Sequence, residues 1–254
     1  MMQTFKPHLI QTTQNLTLAT WKLGHILELV TRHKLVILRG FSAMECQELL
    51  DYCQSQASLV SWDFGSVMEM KVDKNARNYL FTEGDVPLHW DGAFYQEPRF
   101  LFFHCLKAPT INMGGETLFV NTEMVWSQAT PCQQERWLNY QLQFATEKLA
   151  HYGGKIVRNL VNTHPQTERT ILRFAEPVGE DYLNPVHVTV LDTNEVESKQ
   201  ILTEISECMR TNITSYFHQW QQGDYLIADN FSLLHGRNAF RRHTPRHLRR
   251  IQIL

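Results

Sequence analysis

The chain lacks the features that mark several large classes of protein. No stretch of its 254 residues is apolar for long enough to span a bilayer, and the N-terminus has no basic segment followed by an apolar one. The formal net charge is only -2, so nothing attracts the whole chain to nucleic acid or to an anionic membrane. A short arginine run at 241–250 has no recognisable nucleic-acid fold around it. We therefore expect no membrane or nucleic-acid partner, and we predict a cytoplasmic location.

Cysteine is also scarce. The five cysteines are an odd number at no metal-like spacing, which argues against a disulfide framework and against a zinc ribbon. The chain has no internal repeat, no low-complexity tract and no linker. Because 43% of its residues are hydrophobic, it can bury a sizeable core, and we expect residues 1–254 to form a single domain.

Two histidines and an aspartate give the clearest chemical signal. His89 and Asp91 lie two residues apart, so their side chains would point the same way at the end of a strand, and His235 must come from a distant strand. Two neutral imidazoles and one carboxylate on one face of Fe(II) leave the opposite face open for a chelating co-substrate and for O2. A chain with twelve histidines contains His-x-Asp by accident, so the surroundings of the motif decide its meaning.

Those surroundings carry a family resemblance. The motif is followed by an apolar run from Phe100 to Leu106, by Gly-Gly-Glu-Thr at 114–117, and by the segment from Asp229 to Arg237 that contains His235. Together these segments resemble the taurine dioxygenase (TauD/TfdA) family of Fe(II)- and 2-oxoglutarate-dependent oxygenases. The resemblance extends from about Leu35 to the C-terminus.

The resemblance implies a role for each matching residue. His89, Asp91 and His235 match the iron ligands of the family. Thr117 matches the hydroxyl that contacts 2-oxoglutarate, and Arg246 matches the arginine that pairs with the distal carboxylate of that co-substrate. An arginine suits this task because its planar fork grips a carboxylate by two parallel hydrogen bonds. The implied cofactor is Fe(II), and the implied co-substrates are 2-oxoglutarate and O2.

A narrower resemblance concerns the substrate. The blocks at 86–92, 102–109 and 114–117 look like those of the PvcB-like subgroup of the family. Enzymes of that subgroup oxidise isonitrile derivatives of tyrosine or tryptophan made by a partner isonitrile synthase. They form a double bond, with the carboxylate either lost or retained. The resemblance therefore implies an aromatic amino-acid derivative as substrate and a role in isonitrile biosynthesis, a branch of secondary metabolism.

Substrate contacts are predicted from position alone. The segment from Asp63 to Pro87 has little periodicity, and in this family such a stretch covers the active site. The candidates are Asn78, Tyr79 and Asp85 within this segment, Phe94 and Arg250 beside the ligands, and Arg173 in a strand-like run. The aromatic and arginine candidates also have a structural alternative. Aromatic side chains dominate buried surface in any protein, Arg250 could be an ion-pair partner, and Arg173 could face solvent.

Four other functions are compatible with parts of the same pattern. Halogenating members of the family replace the carboxylate ligand with a small residue, so Asp91 argues against halogenation. A hydroxylase of another amino acid or small carboxylate would use the same site. A non-catalytic jelly-roll binding protein would keep the shape without turnover. A zinc hydrolase could use the same three ligands, but it gives no account of Thr117 or Arg246.

The periodicity of apolar residues predicts a mainly β protein with flanking helices, a double-stranded β-helix (jelly roll, cupin-like). Strands are expected over residues 35–41, 100–106, 116–120, 223–229 and 246–254. Helices are expected over residues 17–32, 43–56, 131–139 and 194–220, with Ser42 as the N-cap of the second.

Overall fold

A computed structural model describes residues 4–14, 16–73, 75–147 and 153–254. The strands are β1 (His8–Gln11), β2 (Leu35–Arg39), β3 (Val67–Lys71), β4 (Val86–His89), β5 (Phe100–Lys107), β6 (Thr117–Asn121), β7 (Gln141–Thr146), β8 (Gly154–Asn159), β9 (Val161–Thr163), β10 (Thr170–Leu172), β11 (His187–Val190), β12 (Ser215–His218), β13 (Tyr225–Asp229), β14 (Leu233–Arg237) and β15 (His247–Ile253). The α-helices are α1 (Leu23–His33), α2 (Cys46–Gln54), α3 (Thr122–Gln128), α4 (Pro131–Leu138) and α5 (Glu195–Met209). Short 3-10 helices cover Leu18–Thr20 and Tyr79–Phe81.

Two β-sheets face each other at the centre of the molecule. The larger sheet has the strand order β1-β2-β13-β5-β15-β3, and the smaller has the order β12-β6-β14-β4. Phe103 and Leu248 of the larger sheet meet Phe119 and Leu233 of the smaller one in a buried apolar layer. Two sheets that share such a layer, joined mostly by antiparallel pairs, form the predicted double-stranded β-helix.

The outer face of each sheet is covered as well. Helices α1 and α2 pack on the larger sheet, where Ile251 and Ile253 of β15 join their apolar cluster. Helix α5 packs on the smaller sheet and on the three-stranded sheet β11-β7-β8. Because alternate residues of a strand face opposite ways, Arg250 and Gln252 of β15 point away from the helices and into the space between the sheets. That space holds the candidate site.

The first two predicted helices begin later than the sequence suggested. Residues 17–32 are not one helix, because Trp21 and Lys22 are extended and separate a 3-10 turn from α1. Ser42 is not an N-cap, and its hydroxyl instead donates to the carbonyl of Leu16. Helix α2 starts at Cys46, three residues after the predicted start. The side chains of Glu45 and Glu48 each accept a hydrogen bond from the other's backbone N–H there.

The long helix predicted over 194–220 is also wrong in its second half. Helix α5 ends at Met209, whose carbonyl accepts hydrogen bonds from the hydroxyls of Thr214 and Ser215. The chain then turns, and β12 pairs antiparallel with β6. The apolar residue Phe217, which falls inside the predicted helix, therefore lies in a strand. No helix in the described ranges is long and apolar enough to cross a membrane.

Candidate active site

The three predicted metal ligands meet at one end of the smaller sheet. His89 ends β4 and lies directly opposite His235 in the antiparallel pair of β4 and β14, with the two ring centroids 4.3 Å apart. Asp91 follows two residues later, and its Oδ1 lies 3.5 Å from Nε2 of His89 and 3.8 Å from Nε2 of His235. One ligand atom from each residue lies within 4.8 Å of the other two. The strand pairing thus brings together residues that are 146 positions apart in the chain.

Two glycines make this approach possible. Gly236 follows His235, and a side chain there would place a Cβ only 2.7 Å from the carbonyl oxygen of Val86 on β4. Gly92 follows Asp91 with a φ of +90°, and a Cβ there would lie 2.5 Å from the carbonyl oxygen of Gln96. Glycine is therefore required both where the two strands meet and in the turn that follows the carboxylate.

Asp91 is held in place by several side chains. Its Oδ2 accepts a hydrogen bond from Nε2 of Gln252 over 2.6 Å and pairs with Nη1 of Arg250 over 2.8 Å. Asn230 accepts from the backbone N–H of Asp91 over 2.9 Å and donates to its carbonyl over 3.0 Å. Burial alone would raise the pKa of Asp91, but Arg250 and the two histidines outweigh it and hold the pKa well below its usual range. The carboxylate is therefore ionised, with Oδ1 left facing the histidines.

The two histidines present Nε2 to the carboxylate of Asp91. Nδ1 of His89 lies 2.8 Å from the carbonyl oxygen of Pro87, which can only accept, so Nδ1 is used as a donor and Nε2 is the ring nitrogen left to face a metal. His235 is buried, and burial together with the nearby His89 lowers its pKa well below the usual value. Two neutral imidazoles and one carboxylate are a donor set that suits Fe(II).

The two residues predicted to bind 2-oxoglutarate lie beside the same inter-sheet layer. Thr117 is on the same face of β6 as Phe119, whose ring lies 6.4 Å from that of His235. The hydroxyl of Thr117 accepts a hydrogen bond from Nε1 of Trp220 over 2.9 Å. Arg246 is buried, and its Nε donates to the carbonyl of Gly115 over 3.2 Å. Arg246 therefore contacts the short segment, residues 115–117, that ends at Thr117.

Arg246 is a buried cation with no carboxylate partner among the described residues. None of the carboxylates in the described ranges lies within ion-pair distance of it. Burial, and then repulsion from Arg237, lower the pKa of Arg246 to about 9. A carboxylate bound beside the guanidinium would stabilise its charged form. Such a contact is the one predicted for the distal carboxylate of 2-oxoglutarate.

A cavity of about 620 Å³ opens beside the ligands. Four of the predicted substrate residues line it, namely Asn78, Tyr79, Phe94 and Arg250. The segment at 63–87 forms part of its wall, as predicted, although it contains β3 and a 3-10 helix rather than irregular chain alone. The remaining lining is largely aromatic and apolar, including Trp62, Phe64, Phe81, Trp90, Tyr95, Phe144 and Val178.

The other two substrate candidates lie elsewhere. Asp85 borders a separate cavity of about 310 Å³ together with Arg237, on the far side of Pro87. The buried Arg173 pairs with Glu97 at 2.5 Å and donates to the carbonyl of Asn230 over 2.9 Å. Arg173 therefore does not face solvent, and it holds the loop after Asp91 against the loop that carries Asn230.

Sequence reasoning missed three residues of this site. They are Asn230, which holds the backbone of Asp91, Gln252, which donates to its carboxylate, and Trp62, which donates to Gln252. One signal could have found Gln252, because it lies two residues after Arg250 in a regular strand and must share its face. Trp62 had no such signal, since the position of its loop depends on packing against the C-terminal strand.

The chain matches the family described as "Taurine catabolism dioxygenase TauD, TfdA family" over residues 3–252, and it belongs to that family. The predicted enzyme class, a dioxygenase, is confirmed. A relative from Fischerella ambigua, a 3-((Z)-2-isocyanoethenyl)-1H-indole synthase, is 46% identical over 230 residues, which cover 89% of this chain and 84% of the relative. A tyrosine isonitrile desaturase from Pseudomonas aeruginosa is 35% identical over 240 residues, which cover 92% of this chain and 81% of the relative.

Solved structures support the same assignment. The crystal structure of the PvcB protein from Pseudomonas aeruginosa has a TM-score of 0.81 and 30% identity, covering 98% of this chain and 87% of PvcB. A second structure of PvcB, with a TM-score of 0.80, is described as an Fe, alpha-ketoglutarate dependent oxygenase from an isonitrile synthetic pathway. The predicted resemblance to this subgroup and the predicted fold class are both confirmed.

Proposed function

We propose that the chain is an Fe(II)- and 2-oxoglutarate-dependent dioxygenase that oxidises an isonitrile derivative of tyrosine or tryptophan. Its cofactor is Fe(II), and 2-oxoglutarate and O2 are its co-substrates. The observation that carries the proposal is the cluster of His89, Asp91 and His235 beside a cavity with aromatic walls. The similarity to two isonitrile-processing enzymes supplies the substrate class.

The residues fit each part of this reaction. His89, Asp91 and His235 would hold the iron, Arg246 would pair with the distal carboxylate of 2-oxoglutarate, and Thr117 would contact the same molecule. Bound iron with these co-substrates supplies the oxidant that takes hydrogen from the substrate, while 2-oxoglutarate becomes succinate and CO2. The chain's own residues place the reactants and exclude water from between them.

The cavity suits an aromatic amino-acid derivative. Its aromatic lining would pack against a planar ring, which favours offset-stacked and edge-to-face contacts. Arg250 is the cation that lines this cavity beside the ligands and would attract a substrate carboxylate. Tyr79 and Phe94 line the same space, and we propose that they contact the ring, with Asn78 beside them. The substrate would then lie with its carboxylate near the metal ligands.

The test follows succinate release and product mass with Fe(II), 2-oxoglutarate, O2 and the isonitrile of tyrosine or of tryptophan. We expect one or both isonitriles to stimulate succinate release. The product should have lost two hydrogens, with or without CO2, as two electrons pass from the substrate to O2. Release of succinate without stimulation by either isonitrile would contradict the substrate class. It would favour a hydroxylase of another amino acid or small carboxylate.

Two controls separate the remaining alternatives. If iron-loaded protein consumes no 2-oxoglutarate under any condition, the chain is a jelly-roll binding protein rather than an enzyme. Activity with zinc but not with iron would indicate a hydrolase.

We further propose that residues 1–254 act as one dioxygenase domain and that an isonitrile synthase supplies the substrate. The cytoplasmic location stays a prediction.

A further inference from the structure

Two hydrogen bonds connect the wall of the cavity to the metal-binding carboxylate. Nε1 of Trp62 donates to Oε1 of Gln252 over 2.8 Å, and Nε2 of Gln252 donates to Oδ2 of Asp91 over 2.6 Å. Both Trp62 and Gln252 line the cavity, and Gln252 is buried. The side-chain amide of Gln252 thus accepts a hydrogen bond through its oxygen and donates one through its nitrogen.

The direction of these hydrogen bonds is determined by chemistry. An indole N–H can only donate, so the amide oxygen of Gln252 must face Trp62. The amide nitrogen then faces Asp91, whose ionised carboxylate can only accept. The backbone of Gln252 is also tied to the segment before Trp62, since its carbonyl accepts a hydrogen bond from the N–H of Val60 over 2.9 Å. Trp62 and Asp91 therefore require the same orientation of the Gln252 amide.

Arg250 alone would hold Asp91 less firmly. It approaches the same Oδ2 over 2.8 Å through Nη1. Its Nη2 faces the sulfur of Met68 at 3.2 Å, and its Nε has no hydrogen-bond partner among the described residues. Arg250 also lines the cavity, where a substrate anion would compete for the guanidinium. Gln252 is neutral, so an anion in the cavity would not draw it away from Asp91.

Trp62 belongs to an aromatic cap, which we define as Trp62, Phe64 and Tyr95. The ring of Trp62 lies 6.1 Å from that of Phe64 and nearly parallel to it, and 4.9 Å from that of Tyr95. Phe64 is 45% exposed and Tyr95 is 58% exposed, which places the cap where the cavity meets solvent. All three line the cavity, so an aromatic ring that enters would contact them.

We propose that Gln252 is a positioning residue that holds the second oxygen of Asp91, and that Trp62 orients its amide and so connects the aromatic cap to the metal centre. This inference rests on the proposed metal centre. It assigns Gln252 no contact with the reacting atoms. Its effect is to keep Oδ1 of Asp91 facing His89 and His235 when an anion approaches Arg250.

The test is an anaerobic titration of the metal-free full chain with Co(II), which reads out metal affinity without turnover. Gln252→Leu keeps the approximate size but removes both hydrogen bonds, and it should weaken Co(II) binding by about tenfold, the lower end of the effect of removing a partner of a metal ligand. Trp62→Phe removes the donor that orients the amide, and it should weaken binding about threefold because the amide can then turn.

Gln47→Leu is the matched control, because it makes the same change at an exposed glutamine of α2 whose amide donates to Asp51, away from the cavity. It should bind Co(II) with wild-type affinity. Wild-type affinity in Gln252→Leu would overturn the inference. If that variant does not fold, as judged by the melting temperature of the metal-free protein, wild-type affinity in Trp62→Phe would overturn it instead.

These outcomes are separate from those of the proposed function. A wild-type protein that binds Co(II) but oxidises no isonitrile contradicts only the substrate, and the variant affinities still decide the role of Gln252. A wild-type protein that binds no Co(II) overturns the metal centre and this inference together. In the active enzyme, Gln252→Leu should also release more succinate than oxidised product. A poorly held Asp91 would let 2-oxoglutarate be consumed without oxidation of the substrate.

Discussion

The two ends of the site differ in how their charges are balanced. At the metal end, Asp91 is already paired with Arg250 and hydrogen-bonded to Gln252. At the co-substrate end, Arg246 is buried with one hydrogen bond to a backbone carbonyl and with no described carboxylate beside it. The neighbouring Arg237 is placed differently, because its Nη1 and Nη2 donate to backbone carbonyls of residues 79–84. Only the second end thus lacks an anion.

The two ends therefore differ in how complete they are before any ligand arrives. A buried charge without a partner of opposite sign costs several kcal/mol, and a carboxylate bound beside Arg246 would lower that cost. The metal end can hold its geometry by internal contacts. The co-substrate end becomes electrically balanced only when a carboxylate binds.

The largest expected effect comes from removing the carboxylate at the metal end. Asp91→Ala should abolish iron-dependent turnover, because the donor set then lacks its anion. Asp91→Asn should do the same with less damage to folding, since it keeps the shape and leaves Gln252 a partner. Both are measured by succinate release with saturating 2-oxoglutarate, against Asp51→Ala on the exposed face of α2 as the control. Wild-type turnover in either Asp91 variant would show that the ligand set is wrong.

The second effect should appear at the co-substrate end. Arg246→Ala should raise the 2-oxoglutarate concentration needed for half-maximal turnover by about 100-fold, because two charge-assisted hydrogen bonds are lost. The requirement for the isonitrile substrate should change much less. The control is Arg242→Ala, whose side chain is 83% exposed. An unchanged 2-oxoglutarate requirement would point to Arg249 or Arg250 as the anchor.

The smallest effect is expected from a single neutral hydroxyl. Thr117→Val keeps the shape of the side chain, and it should raise the 2-oxoglutarate requirement by about fivefold, as the loss of one ordinary hydrogen bond implies. It also leaves the N–H of Trp220 without its acceptor, so a modest fall in melting temperature should accompany it. Thr203→Val, on the exposed side of α5, controls for the loss of a hydroxyl alone. A requirement equal to that of the wild type would remove Thr117 from the co-substrate site.

The ligand set and most core strands could be predicted because their signals are local. His89 and Asp91 are two residues apart, and β5, β6, β13 and β15 each show their character within a short window. The end of α5 could not be read this way. Its apolar spacing continues past Met209, and only pairing with β6 makes the next segment a strand. Tertiary contacts overrode the helical pattern there.

The substrate candidates show the same limit. Asn78, Tyr79, Phe94 and Arg250 were expected at the site and do line the cavity. Arg173 was expected there too, but Glu97 engages it. A charged residue in an alternating run has a known face but an unknown partner, because the partner comes from another part of the chain.

The identities of the residues already give the donor atoms that are available to a metal, and the period of the apolar residues gives the strands that carry them. The folded chain adds that His89 lies opposite His235, that Gln252 donates to Asp91 and accepts from Trp62, and that Arg246 has no carboxylate beside it among the described residues. The physical reason is that hydrogen bonds and ion pairs act over a few ångströms in space, whereas the pattern of a sequence reports only which side of its own strand or helix a residue occupies.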